Sequence, residues 1–269
     1  MNAREAETRL SNIRGLLFDL DGVLYVGDHL IDQAVETVAL VREAGIERRF
    51  ITNTSTLSQA AMLQRMAHMG FDIAPGELLS APQATVAYLR DHFADAGIGL
   101  LLADDVKGDF VEFRCVALDA ADCIVIGDIG NAWTSELLNR VFNRLMAGAR
   151  LIVIHKNRFW QTEQGLRMDV GGFVTALEYC SGTQALVMGK PSPTFFEVAL
   201  RDMALPARLT AIIGDDIYSD IEGGQLAGLT GILVRTGKYR QAHVQASGIR
   251  PDHTIDSIAD LPELIGLRR

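Results

Sequence analysis

The chain has 269 residues, enough for a complete core plus a sizeable insertion and too many for a miniature disulfide-stapled scaffold. Hydrophobic residues make up 48% and charged residues 22%, which excludes bulk disorder, collagen-like repeats and coiled coils. With 25 Lys plus Arg against 34 Asp plus Glu the formal net charge is -9, which opposes non-specific attraction to nucleic acid or to an anionic membrane and favours a small-molecule partner.

The polar start, MNAREAETRL, leads into a strand-length apolar run. Neither a signal peptide nor a transmembrane span of about 18 apolar residues is expected, and the protein reads as cytoplasmic. Short apolar runs bounded by Gly, Asp, Asn or Thr predict central strands at Ile13–Phe18, Arg49–Thr52, Leu209–Ile213 and Gly231–Val234. Between them, helices are predicted at Asp32–Ala44, Ser58–Met69, Pro193–Met203 and Ser219–Ala227, several opening with an Asp, Ser or Pro start signal. Strand alternating with helix is the pattern of a parallel sheet covered by helices.

The middle of the chain carries its own set. Strands are predicted at Gly99–Ala103, Cys123–Gly127 and Leu151–His155, with helices at Pro82–Phe93, Ser135–Ala147 and Phe173–Cys180. The expected fold is therefore α/β: a doubly wound, Rossmann-like parallel sheet formed by residues 1–70 and 188–269, with a second α/β domain, 71–187, inserted into it. The crossings near Phe71 and Val187 are expected to act as hinges. Cys115, Cys123 and Cys180 form an odd set without CxxC spacing, which suits a reducing compartment, and they read as small apolar packing groups.

Four strand ends or helix starts carry chemistry. In Leu16-Leu17-Phe18-Asp19-Leu20-Asp21-Gly22, two carboxylates two residues apart follow a strand, at the sheet edge where open α/β folds bind ligands. A solvated turn would also bring Asp and Gly together. Thr52-Asn53-Thr54 ends a second strand in groups able to hydrogen-bond an anion, although Thr54 or Ser55 could equally cap the next helix. Gly189-Lys190-Pro191-Ser192-Pro193 holds a lysine beside a helix start, a setting that suits an anion as well as mere solubility. Gly214-Asp215-Asp216-Ile217-Tyr218-Ser219-Asp220 places three acids after another apolar strand, where oxygen ligands suit Mg²⁺. The helix macrodipole would also favour Asp216 and Asp220 there.

These four pieces, in this order, resemble the motifs of the haloacid dehalogenase superfamily, and their spacing and the inserted middle resemble its NagD-like class. Some animal members of that class carry Ser at the second acidic position, where this chain has Asp21, so their substrates are not expected to carry over intact. The resemblance implies an α/β cap formed by the insertion and a phosphatase acting on a small phosphorylated metabolite. It makes Asp19 the nucleophile that becomes an aspartyl phosphate, and Asp21 the general acid and then base, with its carbonyl facing the metal. Thr52 and Asn53 would hold the phosphoryl oxygens or the nucleophile, and Lys190 would neutralise both the phosphate and Asp19. Asp215 would ligate Mg²⁺ directly, with Asp216 and Asp220 supporting it from behind. A homodimer formed through the cap is a further family expectation.

Within the cap, Gly171-Gly172-Phe173 opens a helix, and Gly172 is expected to lower backbone N–H groups toward substrate; a simple tight turn explains it as well. Phe159, Trp160 and Phe173 could line the substrate entrance or belong to the core. His68 and His92 fall on predicted helices and read as solvated. A P-loop is not expected, because Pro191 follows Lys190 where Ser or Thr would be required. Two other classes stay open: a receiver-like phospho-acceptor domain, whose acidic pair would precede a lone acceptor Asp, and a different superfamily activity, phosphomutase or dehalogenase.

Overall fold

A computed structural model describes residue 10 and residues 12–162 and 165–267, with the side chains of 159–166 outside the description. In chain order its strands are β1 (Gly15–Asp19), β2 (Tyr25–Val26), β3 (His29–Leu30), β4 (Glu47–Thr52), β5 (Leu78–Ser80), β6 (Ile98–Leu101), β7 (Cys123–Ile126), β8 (Arg150–Val153), β9 (Phe159–Thr162), β10 (Gly165–Met168), β11 (Leu186–Val187), β12 (Thr210–Gly214), β13 (Thr230–Val234) and β14 (His253–Ile255). The chain divides into two compact units. One holds the described residues up to Thr52, Leu63–Leu79 and the chain from Lys190 onward; the other holds Asn53–Met62 and Ser80–Gly189.

The first unit is built on a six-stranded sheet in the order β14-β13-β12-β1-β4-β5. The pairs β13–β14, β12–β13, β1–β12 and β1–β4 are parallel. β1, β12 and β13 are buried along their whole length, as apolar runs covered on both faces should be. Across β1 and β4, Phe18 is in register with Phe50 and their rings stack 5.6 Å apart. From β1 the chain proceeds to β4 and β5 on one side and later to β12, β13 and β14 on the other. The strand order therefore reverses at β1, the place where doubly wound sheets bind ligands.

The second unit has its own parallel sheet, β11-β8-β7-β6, and an antiparallel β9–β10 hairpin. Its core packs Ile124, Ile126, Leu151 and Val153 against Val141 and Leu145 of the helix Ser135–Met146 and Val174 and Leu177 of the helix Val170–Ser181. Local sequence starts these helices. Thr134 accepts a hydrogen bond from the Leu137 N–H at 3.1 Å, and Ser80 accepts one from Gln83 at 3.3 Å ahead of the helix Ala81–His92.

The boundaries differ from expectation. The chain first leaves the sheet unit after Thr52 and finally after Leu79, beyond the crossing expected near Phe71, and it returns at Lys190, close to Val187. Phe71 is 4% exposed and belongs to the sheet unit, and residues 78–79 continue that unit into β5. The predicted helix Ser219–Ala227 is instead a π-helical segment, Ile217–Glu222, followed by a short helix, Gly223–Leu226. Gly224 sits so close to Ile212 that any Cβ there would overlap it, so the segment lies tight against β12. The cysteine expectation holds only for Cys123: Cys115 and Cys180 are exposed. His68 and His92 are exposed on their helices. Among the described residues no helix is long and apolar enough to cross a membrane.

Candidate active site

Asp19 is the last residue of β1 and is 6% exposed, held there by a strand whose other residues are wholly apolar. Its Oδ1 accepts a hydrogen bond from the Leu20 N–H at 2.8 Å and lies 2.7 Å from Lys190 Nζ. Two donors on one oxygen fix the orientation of the carboxylate. Lys190 precedes the helix Pro193–Met203 and reaches Asp220 Oδ1 at the same 2.7 Å. Burial works against this ammonium, but Asp19 and Asp220 outweigh it and hold its pKa above the ordinary lysine value.

Asp215 follows β12, the neighbour of β1, and is 2% exposed. Its Oδ2 accepts a hydrogen bond from the Lys238 N–H at 2.6 Å, while Oδ1 is buried with no hydrogen-bond partner among the described residues. Burial, followed by the charges of Asp19 and Asp220, pushes the Asp215 carboxyl up to about 8. Asp220 is fully buried and is pushed up to about 6, again by burial first and by Asp19 second. One oxygen from each of Asp19, Asp215 and Asp220 lies within 4.8 Å of the others.

Asp220 therefore stands closer to the centre than the supporting position the sequence suggested. The π-helical turn carries it inward, where Oδ1 meets Lys190 and Oδ2 accepts the Asp216 N–H at 3.1 Å. With both oxygens engaged it holds the lysine and the loop, whereas Asp215 keeps an oxygen unpaired. Asp216 is a helix cap: its Oδ1 accepts hydrogen bonds from Tyr218 N–H at 3.0 Å and Ser219 N–H at 3.1 Å.

Asp21 lies on the turn beyond β1 and is exposed, outside the acidic trio. Thr52 ends β4 and is 3% exposed. Asn53 opens the second unit's first segment, where a Cβ on Gly189 would lie 2.7 Å from its Oδ1. Of the residues singled out in the sequence, Asp19, Lys190, Asp215 and Asp220 form one cluster at the carboxyl edge of adjacent strands β1 and β12.

The amide of Gly172 is engaged within its own helix start. The helix Val170–Ser181 begins one turn earlier than expected, capped by Asp169, and its first amides are used internally. Val170 N–H donates to Asp169 Oδ1 at 2.6 Å, Gly171 N–H to Asn157 O at 3.0 Å and Gly172 N–H to Asp169 O at 3.2 Å. Phe173 stacks on Trp133 with ring centres 4.6 Å apart. The side chains of Phe159 and Trp160 lie outside the described residues.

Sequence reasoning missed the segment Thr236-Gly237-Lys238 beyond β13. Its signal was available, since a Thr-Gly-Lys run follows an apolar strand at the same sheet edge. Thr236 Oγ1 donates to the Gly22 carbonyl, tying this segment to the turn after Asp21. The Lys238 ammonium is partly desolvated, yet the carboxylates of Asp215, Asp19 and Asp220 hold its pKa above the ordinary value.

A family model described as haloacid dehalogenase-like hydrolase matches residues 16–113, and one described as HAD-hydrolase-like matches residues 187–261. The chain is 35% identical to the phospholysine phosphohistidine inorganic pyrophosphate phosphatase of Rattus norvegicus, over 96% of each chain. It is 36% identical to the haloacid dehalogenase-like hydrolase domain-containing protein 2 of Rattus norvegicus, over 91% of this chain and 93% of that one. Among solved structures, a p-nitrophenyl phosphatase from Archaeoglobus fulgidus superposes with a TM-score of 0.88 at 26% identity, covering 93% of this chain and 98% of that one.

Proposed function

The chain belongs to the haloacid dehalogenase-like hydrolases, and from that membership and the buried acidic cluster we propose a Mg²⁺-dependent phosphatase that hydrolyses a small phosphorylated metabolite through an aspartyl phosphate on Asp19. The observation that carries this reading is the pairing of Asp19 with buried Lys190 beside Asp215, whose Oδ1 has no protein partner among the described residues.

The donor set fits a hard cation. It consists of carboxylate oxygens alone, and the three carboxylates outnumber the ammonium groups of Lys190 and Lys238 that face them by one. Asp215, through Oδ1, and Asp19 would hold the metal, while Asp220 supports Lys190. When bound, Mg²⁺ supplies positive charge that offsets the phosphoryl oxygens and the carboxylates beside them.

The protein's own groups account for the rest. Asp19, fixed by Leu20 and Lys190, attacks phosphorus; its new O–P bond forms as the bond to the leaving oxygen breaks. Asp21, reaching solvent from the turn, gives a proton to that leaving oxygen and then takes one from the water that attacks the aspartyl phosphate. This second attack frees Asp19 and inorganic phosphate. Lys190 stays protonated throughout and neutralises the nucleophile and the transferring group together. Thr52 and Asn53 are assigned to the phosphoryl oxygens.

The test is to quench turnover in acid and map the phosphoryl group by mass spectrometry. Phosphate is expected on Asp19, and Asp19→Asn should abolish both turnover and label; label elsewhere, or full activity after chelation, overturns the reading. A panel of alkyl and aryl phosphates, pyrophosphate and phosphoramidates identifies the substrate class.

A further inference from the structure

Gly22 and Gly237 face the same oxygen. Both have left-handed backbone, with φ +91 and +59, and a Cβ on either would overlap Asp215 Oδ2. A Cβ on Gly237 would also lie 2.5 Å from Gly22 Cα, so the two backbones meet against one carboxylate. Thr236 Oγ1 donates to the Gly22 carbonyl and joins the two turns, and the Lys238 N–H donates to Oδ2 at 2.6 Å. Every one of these contacts engages Oδ2 or the turn beside it, while Oδ1 is buried without a partner among the described residues.

We infer that Thr236, Gly237 and Gly22 form a clamp that immobilises Oδ2 of Asp215 and presents Oδ1 alone to the cation, making them positioning residues for metal choice. The inference rests on the proposed metal site and goes beyond it. Ca²⁺ takes 6–8 oxygens and accepts bidentate carboxylates, whereas Mg²⁺ needs fewer ligands at shorter distances. A carboxylate whose second oxygen is occupied by an amide and walled by two glycines can give only one oxygen. The clamp therefore favours the smaller ion, and loosening it should let Asp215 turn and offer both oxygens.

The experiment measures Mg²⁺ and Ca²⁺ binding by titration calorimetry on metal-free full-length protein, for wild type, Thr236→Val, Thr236→Ser and Gly237→Ala. Substitutions one shell away from a metal ligand typically cost about 10–100-fold in metal affinity. Thr236→Val is expected to weaken Mg²⁺ binding by about tenfold with a smaller loss for Ca²⁺, narrowing the preference, and Thr236→Ser should restore it. Gly237→Ala should show the larger change; if it fails to fold, the two threonine variants still decide the question. A Mg²⁺-to-Ca²⁺ ratio unchanged in Thr236→Val overturns the clamp while leaving the metal site intact. Absence of Mg²⁺ binding by wild type overturns both.

Discussion

His155 Nε2 and Ser55 Oγ lie 2.9 Å apart inside the second unit, both almost wholly buried and 100 residues apart in the chain. The other ring nitrogen, Nδ1, has no hydrogen-bond partner among the described residues and lies 3.9 Å from Asp169 Oδ2. Burial holds the His155 pKa below its ordinary value, although Asp169 and Asp128 pull the other way. As pH falls through about 6.5 an unfolded histidine takes up a proton that the folded one refuses, so acid should cost stability here. Melting temperatures of wild type and His155→Gln between pH 7.5 and 5 should show the steeper acid loss in wild type. Parallel curves would locate the acid sensitivity elsewhere. Ser55→Ala, which leaves a buried ring nitrogen unpaired, should cost about 1–3 kcal/mol.

The acidic cluster predicts the opposite slope at higher pH. With Asp215 pushed up to about 8 and Asp220 to about 6, the folded metal-free chain keeps protons that the unfolded chain releases near pH 4. The stability due to these groups is full below about pH 4 and is lost as pH rises to about 8. Saturating Mg²⁺, at about 100 times its dissociation constant, should add about 2.7 kcal/mol of stability. At a fixed subsaturating metal concentration, the thermal shift should be larger at pH 8.5 than at pH 6, and Asp215→Asn should remove that difference. A shift of equal size at both pH values would mean that no proton leaves Asp215 when metal binds.

The adjacent glycines Gly171 and Gly172 should respond differently to alanine. A Cβ on Gly171 would run into the backbone carbonyls of Lys156 and Asn157, which cannot yield cheaply. Gly171→Ala should cost about 1–3 kcal/mol. The nearest atoms a Cβ on Gly172 would meet are those of the Met168 side chain, which is 56% exposed, and alanine improves helix propensity. Gly172→Ala should be neutral or stabilising by up to about 1 kcal/mol in a urea melt. Loss of activity in Gly172→Ala without loss of stability would restore a substrate role to this position.

Asp19 and Asp21 should separate by leaving group. A general acid contributes about 10²–10⁴-fold where the leaving oxygen is basic and much less where it departs unaided. Asp21→Asn should therefore lose far more activity on an alkyl phosphate than on p-nitrophenyl phosphate, provided the first step limits both. If the second step limits, the phosphorylated enzyme should accumulate and be trapped instead. Equal losses with no trapped intermediate would make Asp21 structural.

Asp19, Lys190 and Asp215 could be found in the sequence because each stands where an apolar strand stops or a helix is about to begin, a contrast visible in one dimension. The inward position of Asp220 could not, since it follows from one extra residue in a turn that the acid pattern reads as ordinary helix. The Thr236-Gly237-Lys238 run is visible after an apolar strand, but what it meets is not, since that depends on β13 lying beside β12, a neighbour relation that only the sheet order supplies. The two edge strands β5 and β14 have three residues each, too few to show a period. The role of Gly172 is not legible because a glycine pair at a helix start looks the same whether its amides face a ligand or the preceding loop.

The interleaving of the two units bears on how such proteins can diversify. Residues 53–62 precede the long insertion but belong to it: Ser55 meets His155, the Ser58 N–H donates to Asp105 Oδ2 at 2.6 Å and the Gln59 N–H to Asp109 Oδ2 at 3.2 Å. Recombination that exchanged only 80–189 between relatives would strand three polar partners without their counterparts. Inheritance of a new insertion should therefore travel with the short stretch that follows Thr52, and grafts that carry both pieces should express where single-piece grafts aggregate.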